Sequence, residues 1–445
     1  MYVKRHLNPS LVLVLGFVIL IAAGALILSL PIASENGEGL ALLDAFFTAT
    51  SAVCVTGLVV VDTGDTFSLF GELIILALIQ VGGLGFMTFA TLLFTILGRK
   101  ISLKEKMLLK EAYNATLTTA GIVKLVKRIF LFTLITECVG GLILAVRFMV
   151  DMPMGQAIYY GFFHAISNFN NAGFDLMGEF RSLTAYVNDP FVVLTISTLI
   201  ILGGIGFIVV NELYDYPKAR RLSLHTKVVL STTFILLLGG ALLIFLFEYA
   251  NENTLGNLSF AEKWLGAIFH SVSPRTAGSN TLTIGDLTDA TLLLTIILMF
   301  IGGGSGSTAG GIKVSTFAVL TVTALSQLKG REDVVVFNRR LMVATILKAL
   351  TVTMSGVAIV VSMTFLLSIT EQDYGFSMYL FEATSAFGTV GLSMGLTPEL
   401  SPIGRLLIIF TMFFGRLGPL TLAYAITKRR TKEAYKYQKG TIMIG

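Results

Sequence analysis

The chain alternates between long apolar stretches and short polar connections. Eight of the stretches are long enough to cross the hydrocarbon core of a bilayer, which takes about 20 apolar residues in a helix. They run over residues 11–30, 73–97, 129–150, 191–210, 227–247, 292–325, 341–369 and 406–426. The pattern predicts an all-α integral membrane protein with eight transmembrane helices. Because eight is even, both termini are expected on the same side of the membrane.

A shorter, half-apolar stretch follows each odd-numbered span and ends in glycine. The four copies read FFTATSAVCVTG (46–57), FFHAISNFNNAG (162–173), IFHSVSPRTAG (268–278) and LFEATSAFGTVG (380–391), the third being one residue shorter. A second glycine cluster follows inside the next span of each copy: GGLG (82–85), GGIG (203–206), GGSG (303–306) and GRLG (415–418). Two signals that recur four times in register predict four tandem repeats, each a span, a short re-entrant helix, a glycine-ended loop and a second span.

These repeats set the expected organisation of the chain. Residues 1–98 hold repeat 1, and residues 99–217 hold a cytoplasmic loop and repeat 2. Residues 218–330 hold repeat 3 with a glycine-rich intramembrane segment. Residues 331–427 hold repeat 4, and residues 428–445 form a cytoplasmic tail.

Composition supports a membrane protein and excludes several other classes. The 445 residues are 54% hydrophobic and only 13% charged, with a mean hydropathy of +0.82, whereas soluble domains are about 25% charged. Two cysteines and nine prolines exclude a disulfide scaffold and a proline-rich disordered chain. The sequence also lacks a constellation of nucleophile, base and orienting group, so no enzyme activity is expected.

Basic and acidic residues are concentrated in loops on opposite sides of the membrane. Most of the 32 Lys and Arg residues lie at the two ends and in the loops after the second, fourth and sixth spans. The positive-inside rule places these loops and both termini in the cytoplasm, with the protein in the cell membrane. The opposite loops carry acidic residues such as Asp62 and Asp175, which would concentrate cations. The basic clusters therefore predict contacts with anionic membrane lipids and not with nucleic acid.

The glycine-ended loops predict a cation pathway. Non-helical backbone at membrane depth persists only where it is buried in protein or lines an aqueous path. Four such loops can place four glycines around one pseudo-fourfold axis, where a ring of carbonyls replaces the hydration shell of a cation. The expected ion-binding residues are Val55, Thr56, Gly57, Asn171, Ala172, Gly173, Thr276, Ala277, Gly278, Thr389, Val390 and Gly391.

The loop sequences SAVCVTGL, NNAGF, SPRTAG and SAFGTVGL resemble the four pore loops of the Trk/Ktr/HKT potassium transporters. Length and the eight spans match the Ktr branch, and the resemblance covers nearly the whole chain. It implies potassium uptake through a pseudo-fourfold pore in one subunit, homodimerisation, and regulation by a cytoplasmic KtrA-type ring subunit with RCK domains. It also implies that K⁺ is the transported ion, and that nucleotide binds the partner subunit, with no cofactor in this chain.

Two details bear on ion preference. Family members that prefer sodium tend to carry serine at the first filter position, where this chain has Gly57. Tetrameric potassium channels have a second filter glycine, whereas Leu58, Phe174, Ser279 and Leu392 follow here. Weaker discrimination against Na⁺ is therefore expected. The sequence leaves open whether transport is coupled to Na⁺.

A glycine-rich segment interrupts the sixth span and predicts a gate. Each glycine costs up to about 1 kcal/mol relative to alanine in a helix, so a mobile loop across the pore is expected; the alternative is a tight helix contact through small residues. The expected gate residues are Gly302, Gly303, Gly304, Ser305, Gly306, Ser307, Thr308, Ala309, Gly310, Gly311, Lys313 and Arg416.

Three charged residues near this region have two interpretations each. Arg416 lies in the middle of the eighth span, where a bare charge is costly; it either contacts the glycine-rich segment or pairs with a membrane carboxylate such as Glu137. Arg275 is expected to brace the third pore loop by hydrogen bonds instead of facing ions. Glu137 is either a relay for protons or sodium or a buried structural partner.

Other functions remain as alternatives. One is a sodium-selective member of the same family, which Gly57 disfavours through the resemblance alone. Another is a sodium-coupled solute symporter, which would be expected to show inverted repeats, whereas each unit here has two spans and keeps its orientation. The segment 304–313 resembles two nucleotide-binding motifs. It lies in a membrane span without a preceding strand, so nucleotide binding is not expected there.

Overall fold

The computed structural model describes residues 9–85, 88–89, 119–426 and 438. The regular secondary structure of the described residues is helical, apart from one antiparallel pair of two-residue strands, β1 (Val335–Val336) and β2 (Arg339–Arg340). Lys4, Arg5, most of the basic loop after the second span and nearly all of the predicted tail lie outside the described residues.

Each sequence repeat begins with a long apolar helix. The four long helices are Pro9–Leu28, Thr119–Phe148, Leu224–Glu248 and Val343–Thr370. Among the described residues, each contains a stretch long and apolar enough to cross a membrane. Side chains such as Ile19, Val146 and Phe365 are well exposed on them, as expected for helices that face lipid. The prediction of a multi-pass helical membrane protein is confirmed.

A short helix follows each long one and carries one of the four repeated stretches. The short helices are Leu42–Val53, Met154–Phe169, Phe260–Val272 and Phe376–Gly388. The phenylalanine at the second position of every copy is completely buried: Phe47, Phe163, Phe269 and Phe381. This buried aromatic fixes the same rotation of each short helix against its neighbours.

A further helix in each repeat ends at the second glycine cluster or, in the third repeat, just before it. These broken helices are Leu69–Leu84, Pro190–Gly204, Asp289–Phe300 and Pro402–Leu417. The side chains of Ser68, Asp189, Thr288 and Ser401 accept backbone N–H groups at their first turns, which fixes where each begins.

The sequence predicts an interruption in the sixth span, and the structure shows that the glycine cluster also ends a helix in the other three repeats. Gly85, Gly206 and Gly418 have φ values of 80°, 103° and 79°, a conformation that ends an α-helix and that glycine adopts at low cost. Helix resumes at Phe207–Ala219, at an angle of 96° to the preceding helix, and at Pro419–Ile426. In the third repeat it resumes at Val314–Leu328 after a 13-residue gap.

The helix contacts between successive repeats form a closed cycle. The first, second and third broken helices each contact the short helix of the following repeat, and Pro402–Leu417 contacts the short helix Leu42–Val53 of the first. The ends of the four short helices are thereby brought together, although the first and the fourth are more than 300 residues apart in the chain.

Candidate functional site

The glycines that end the four copies pack against one another. Each lies against the carbonyl oxygen that precedes the glycine of the next copy. The distances from an added Cβ to that oxygen would be 2.2 Å for Gly57 and Ala172, 2.2 Å for Gly173 and Ala277, 2.5 Å for Gly278 and Val390, and 2.4 Å for Gly391 and Thr56. A real Cβ does not approach closer than 3.0 Å, so glycine alone fits without a shift. Because the fourth copy returns to the first, the contacts form a closed ring.

The backbone approaching this ring has an unusual conformation that repeats four times. The residue two places before each glycine has positive φ: Val55 50°, Asn171 57°, Thr276 74° and Thr389 50°. Such angles are rare for β-branched residues and cost about 1–3 kcal/mol each. The same conformation at the same position in four copies, three of them with a strained β-branched residue, indicates a site where backbone direction matters.

Hydrogen bonds explain what this conformation achieves. In every copy, the N–H of the residue before the glycine donates to the carbonyl of a serine near the end of the short helix. The pairs are Thr56 with Ser51 (2.8 Å), Ala172 with Ser167 (2.8 Å), Ala277 with Ser273 (2.9 Å) and Val390 with Ser385 (2.9 Å). The C=O and N–H of a trans peptide point in opposite directions. The carbonyls of Val55, Asn171, Thr276 and Thr389 therefore point away from the short helices.

The four serines, called here the filter serines, were missed from the sequence. Serine stands at the sixth position of all four copies, and that recurrence was the available signal. The four are fully buried: Ser51, Ser167, Ser273 and Ser385. Their carbonyls and their hydroxyls both contact the glycine-ended loops.

All four ring glycines line one cavity of about 380 Å³. Asp62 and Asp175 line it as well. The Asp62 carboxylate accepts the N–H groups of Gly64 (2.9 Å) and Phe180 (2.6 Å), and thus ties two connecting segments together. Asp175 is half-buried, and burial, reinforced by the charge of Asp62, raises its pKa to about 6. The mouth of the ring is therefore acidic, and its charge changes with pH.

The glycine-rich segment 302–311 lies against the other side of the loops. The Thr308 hydroxyl donates to Asn171 Oδ1 (2.6 Å), and its N–H donates to the Gly203 carbonyl (3.3 Å). A Cβ on Gly310 would lie 2.0 Å from Thr389 Oγ1. Thr308 is fully buried. The segment thus contacts the second and fourth glycine-ended loops directly.

Two cationic side chains hold the segment by its carbonyls. Arg416 donates to the Thr308 carbonyl and, from its other terminal nitrogen, to the carbonyls of Gly82 and Gly83. Lys313 Nζ donates to the carbonyls of Ala309 (2.7 Å) and Gly310 (3.1 Å). A guanidinium can bridge carbonyls on two chain segments because its donors form a planar fork.

The remaining charged candidates lie in hydrogen-bonded networks. Arg275 is buried and donates to the Gly302 carbonyl (3.3 Å), so it contacts the glycine-rich segment as well as standing in the third loop. Glu137 accepts from Asn170 Nδ2 (3.0 Å) and Gln80 Nε2 (3.3 Å). These contacts join the second long helix to the first broken helix and the second short helix.

The whole architecture can be compared with known proteins. A family model described as "TrkH: Cation transport protein" matches residues 8–436. The chain belongs to the TrkH family of cation transport proteins. This transporter family accounts for the absence of a catalytic constellation in the sequence, and the prediction that the chain is not an enzyme is confirmed.

Individual relatives cover almost the full length of the transporter. It is 45% identical over 438 residues to the "Ktr system potassium uptake protein B" of Bacillus subtilis, covering 98% of this chain and 97% of that protein. It is 40% identical over 448 residues to the "Potassium/sodium uptake protein NtpJ" of Enterococcus hirae, covering 100% and 98%.

A solved structure shares the fold. The crystal structure of the potassium transporter TrkH from Vibrio parahaemolyticus matches with a TM-score of 0.73 and 20% identity, covering 96% of this chain and 87% of that one. The family model and the Bacillus subtilis relative confirm the family expected from the loop sequences.

Proposed function

We propose that this protein is the membrane subunit of a potassium uptake system and that K⁺ crosses the bacterial cell membrane through the glycine ring. The closed ring carries the proposal, since it brings backbone carbonyls from four loops to one place. Ring carbonyls can replace the hydration shell of K⁺. The names of the Bacillus subtilis and Enterococcus hirae relatives agree with potassium as the cargo.

In this proposal the chain has eight transmembrane helices and four re-entrant pore helices around a pseudo-fourfold axis. The long helices and the broken helices with their continuations are the spans, and the four short helices are the pore helices. Both termini lie in the cytoplasm, as the distribution of basic residues indicates. The acidic mouth formed by Asp62 and Asp175 faces outwards and gathers cations.

The glycine-rich segment 302–311 acts as the gate below the ring. It is held by Arg416, Lys313 and Arg275 and contacts the second, third and fourth loops. With its backbone in the path, ions pass only when these hydrogen bonds break. Two further parts of the proposal rest on the family resemblance: a homodimer, and a cytoplasmic KtrA-type ring subunit with RCK domains that binds nucleotide and moves the gate.

The direct test is cation flux into proteoliposomes that contain the purified protein, with K⁺ compared with Na⁺, and with wild type beside Gly57→Ser. A Cβ at position 57 would lie 2.2 Å from the Ala172 carbonyl oxygen, so the variant must displace a carbonyl of the ring. We expect wild type to prefer K⁺ and Gly57→Ser to lose that preference. If wild type is silent, a Ktr ring subunit with its nucleotide is added; silence in its presence overturns the proposal.

Sodium transport is the second candidate. The absence of a second filter glycine and the name of the Enterococcus hirae relative both favour passage of Na⁺. Equal K⁺ and Na⁺ flux through wild type would support this candidate over selective potassium uptake. Sodium-dependent uptake of an organic solute, without cation flux alone, would support a symporter.

A further inference from the structure

The filter serines differ in how their hydroxyls are used, although their positions are equivalent. In the first and fourth repeats the hydroxyl oxygen accepts the N–H of the ring glycine, Gly57 to Ser51 at 3.0 Å and Gly391 to Ser385 at 3.2 Å. In the second and third repeats the hydroxyl donates to the carbonyl of the residue after the glycine. These pairs are Ser167 with Phe174 (2.7 Å) and Ser273 with Ser279.

The two arrangements orient different peptide groups. The N–H of Gly57 belongs to the same trans peptide as the Thr56 carbonyl, and the two point in opposite directions. Because Ser51 draws the N–H towards the short helix, the Thr56 carbonyl must point away from it. This is the oxygen that a Cβ on Gly391 would meet at 2.4 Å, so it is part of the ring. Ser385 fixes the Val390 carbonyl in the same way.

In the other two repeats the serine acts one residue later. The Phe174 and Ser279 carbonyls accept from the buried hydroxyls of Ser167 and Ser273, so they are turned towards the short helices. A carbonyl held in this way cannot also face an ion in the ring. The hydroxyls of these two serines therefore end the run of available carbonyls at the glycine.

We propose that Ser51 and Ser385 are positioning residues that set the selectivity of the filter by fixing the peptide planes of Gly57 and Gly391. Ser167 and Ser273 have the separate role of holding the outer end of the loop. The proposal rests on the function proposed above. It follows that the first and fourth repeats are more sensitive to loss of the serine hydroxyl than the second and third.

Loss of the Ser51 hydroxyl removes the acceptor of the Gly57 N–H on its fully buried side, where the N–H points at the short helix. A buried donor without an acceptor is costly, and rotation of the peptide would relieve the cost by turning the N–H towards water in the ring. That rotation takes the Thr56 carbonyl out of the ring. Loss of one carbonyl weakens binding of a dehydrated ion and reduces the discrimination between K⁺ and Na⁺.

The neighbouring threonines provide matched controls. Thr50 and Thr384 stand one position before Ser51 and Ser385, are fully buried, and donate to the carbonyls of Phe46 and Leu380 in their own helices, both at 2.7 Å. Replacing either removes a buried hydroxyl from the same helix without touching a peptide of the ring. The variants are Ser51→Ala, Ser385→Ala, Ser167→Ala, Thr50→Ala and Thr384→Ala.

The measurement is the ratio of K⁺ to Na⁺ flux in proteoliposomes, with the amount of folded protein taken from gel filtration. We expect the ratio to fall about fivefold to tenfold in Ser51→Ala and Ser385→Ala, with a rise in the KM for K⁺. It should stay within about twofold of wild type in Ser167→Ala and the threonine variants. A purely structural role lowers both fluxes together and leaves the ratio unchanged.

Each outcome of this measurement either supports or overturns the positioning role. An unchanged ratio in folded Ser51→Ala and Ser385→Ala overturns the positioning role, as does an equal fall in the Thr50 and Thr384 variants. Failure of wild type to carry K⁺ with its ring subunit overturns the proposed function instead, so the two failures are distinct. If Ser51→Ala does not fold, Ser385→Ala tests the same peptide geometry in the fourth repeat.

Discussion

Arg416, at the end of the last broken helix, donates a hydrogen bond to the main-chain carbonyl of Thr308 in the middle of the glycine-rich segment. The two residues are 108 positions apart in the chain. The same guanidinium reaches the carbonyls of Gly82 and Gly83 in the first repeat. One side chain from repeat 4 therefore fastens a segment of repeat 3 to a helix of repeat 1, directly beneath the ring.

Replacing Arg416 should open the pathway. Both Arg416→Gln and Arg416→Lys lose the planar fork that bridges two segments, and we expect a severalfold higher K⁺ flux in both. The charge-conserving variant separates hydrogen bonding from charge, because it retains the positive charge near the path. Flux in proteoliposomes is the measurement.

Arg405 in the same helix provides the control for this prediction. It donates to the Leu400 carbonyl and to Asp44 and does not lie against the glycine-rich segment. Arg405→Lys should leave the flux near the wild-type value. Low flux in Arg416→Lys together with high flux in Arg416→Gln would mean that charge, and not the hydrogen bonds, restrains the ion.

Deleting residues 304–310 should also raise flux. The deletion removes the Thr308 contacts with Asn171 and Gly203 and the close approach of Gly310 to Thr389. Ser305→Ala is the milder control, because the Ser305 hydroxyl pairs with Ser315 Oγ (3.0 Å) instead of a glycine-ended loop. Unchanged flux in a folded deletion variant would count against a gate.

The second glycine clusters are required for packing as well as for breaking the helices. A Cβ on Gly203 would lie 1.8 Å from the Phe169 carbonyl oxygen at the end of the second short helix. Gly203→Ala should lower the free energy of unfolding by about 3 kcal/mol, measured as a loss of thermal stability in detergent. Gly239, in the third long helix, has open space around it. Gly239→Ala should change stability by no more than about 1 kcal/mol, and an equal loss in both variants would contradict the packing argument.

The pKa of Asp175, about 6, predicts a pH dependence of uptake. Above pH 6 the carboxylate is charged and attracts K⁺ to the mouth, whereas at pH 5 it is mostly neutral. At subsaturating K⁺, uptake should therefore fall as external pH is lowered from 7 to 5. Asp175→Asn should abolish this component, while Asp373→Asn, at an exposed site outside the cavity lining, should retain it.

The effect of the same group on stability has the opposite sign. The pKa is raised from its ordinary value of 3.8, so the folded protein binds the proton more tightly than the unfolded chain does. The contribution of Asp175 to stability is therefore present below pH 4 and is lost as pH rises through about 6. Thermal stability of wild type relative to Asp175→Asn should fall over this range, and a rise would contradict the buried setting of Asp175.

Sequence determined the membrane class and the helical elements, because each rests on composition or on a pattern within about 20 residues. It also determined the fourfold repetition, because one short motif recurs four times along the chain. The glycines of the ring could be chosen for the same reason: a glycine that ends a half-apolar stretch in four copies marks a backbone requirement in each copy. The breaks at Gly85, Gly206 and Gly418 were missed, since the flanking residues remain apolar and continue the helical pattern. Only the last glycine of each cluster signalled them.

Tertiary structure alone decided which groups meet. Arg416 had two possible partners in the sequence, the glycine-rich segment and a membrane carboxylate, and choosing between them requires the relative placement of helices from different repeats. The filter serines show the same limit, although their recurrence is visible in the sequence. Their hydroxyls accept a glycine N–H in two repeats and donate to a carbonyl in the other two, and this difference depends on the direction of single peptide planes. Sequence fixes which residues each repeat contributes, whereas hydrogen-bond direction is settled only when four loops pack into one ring and every buried polar group must find a partner.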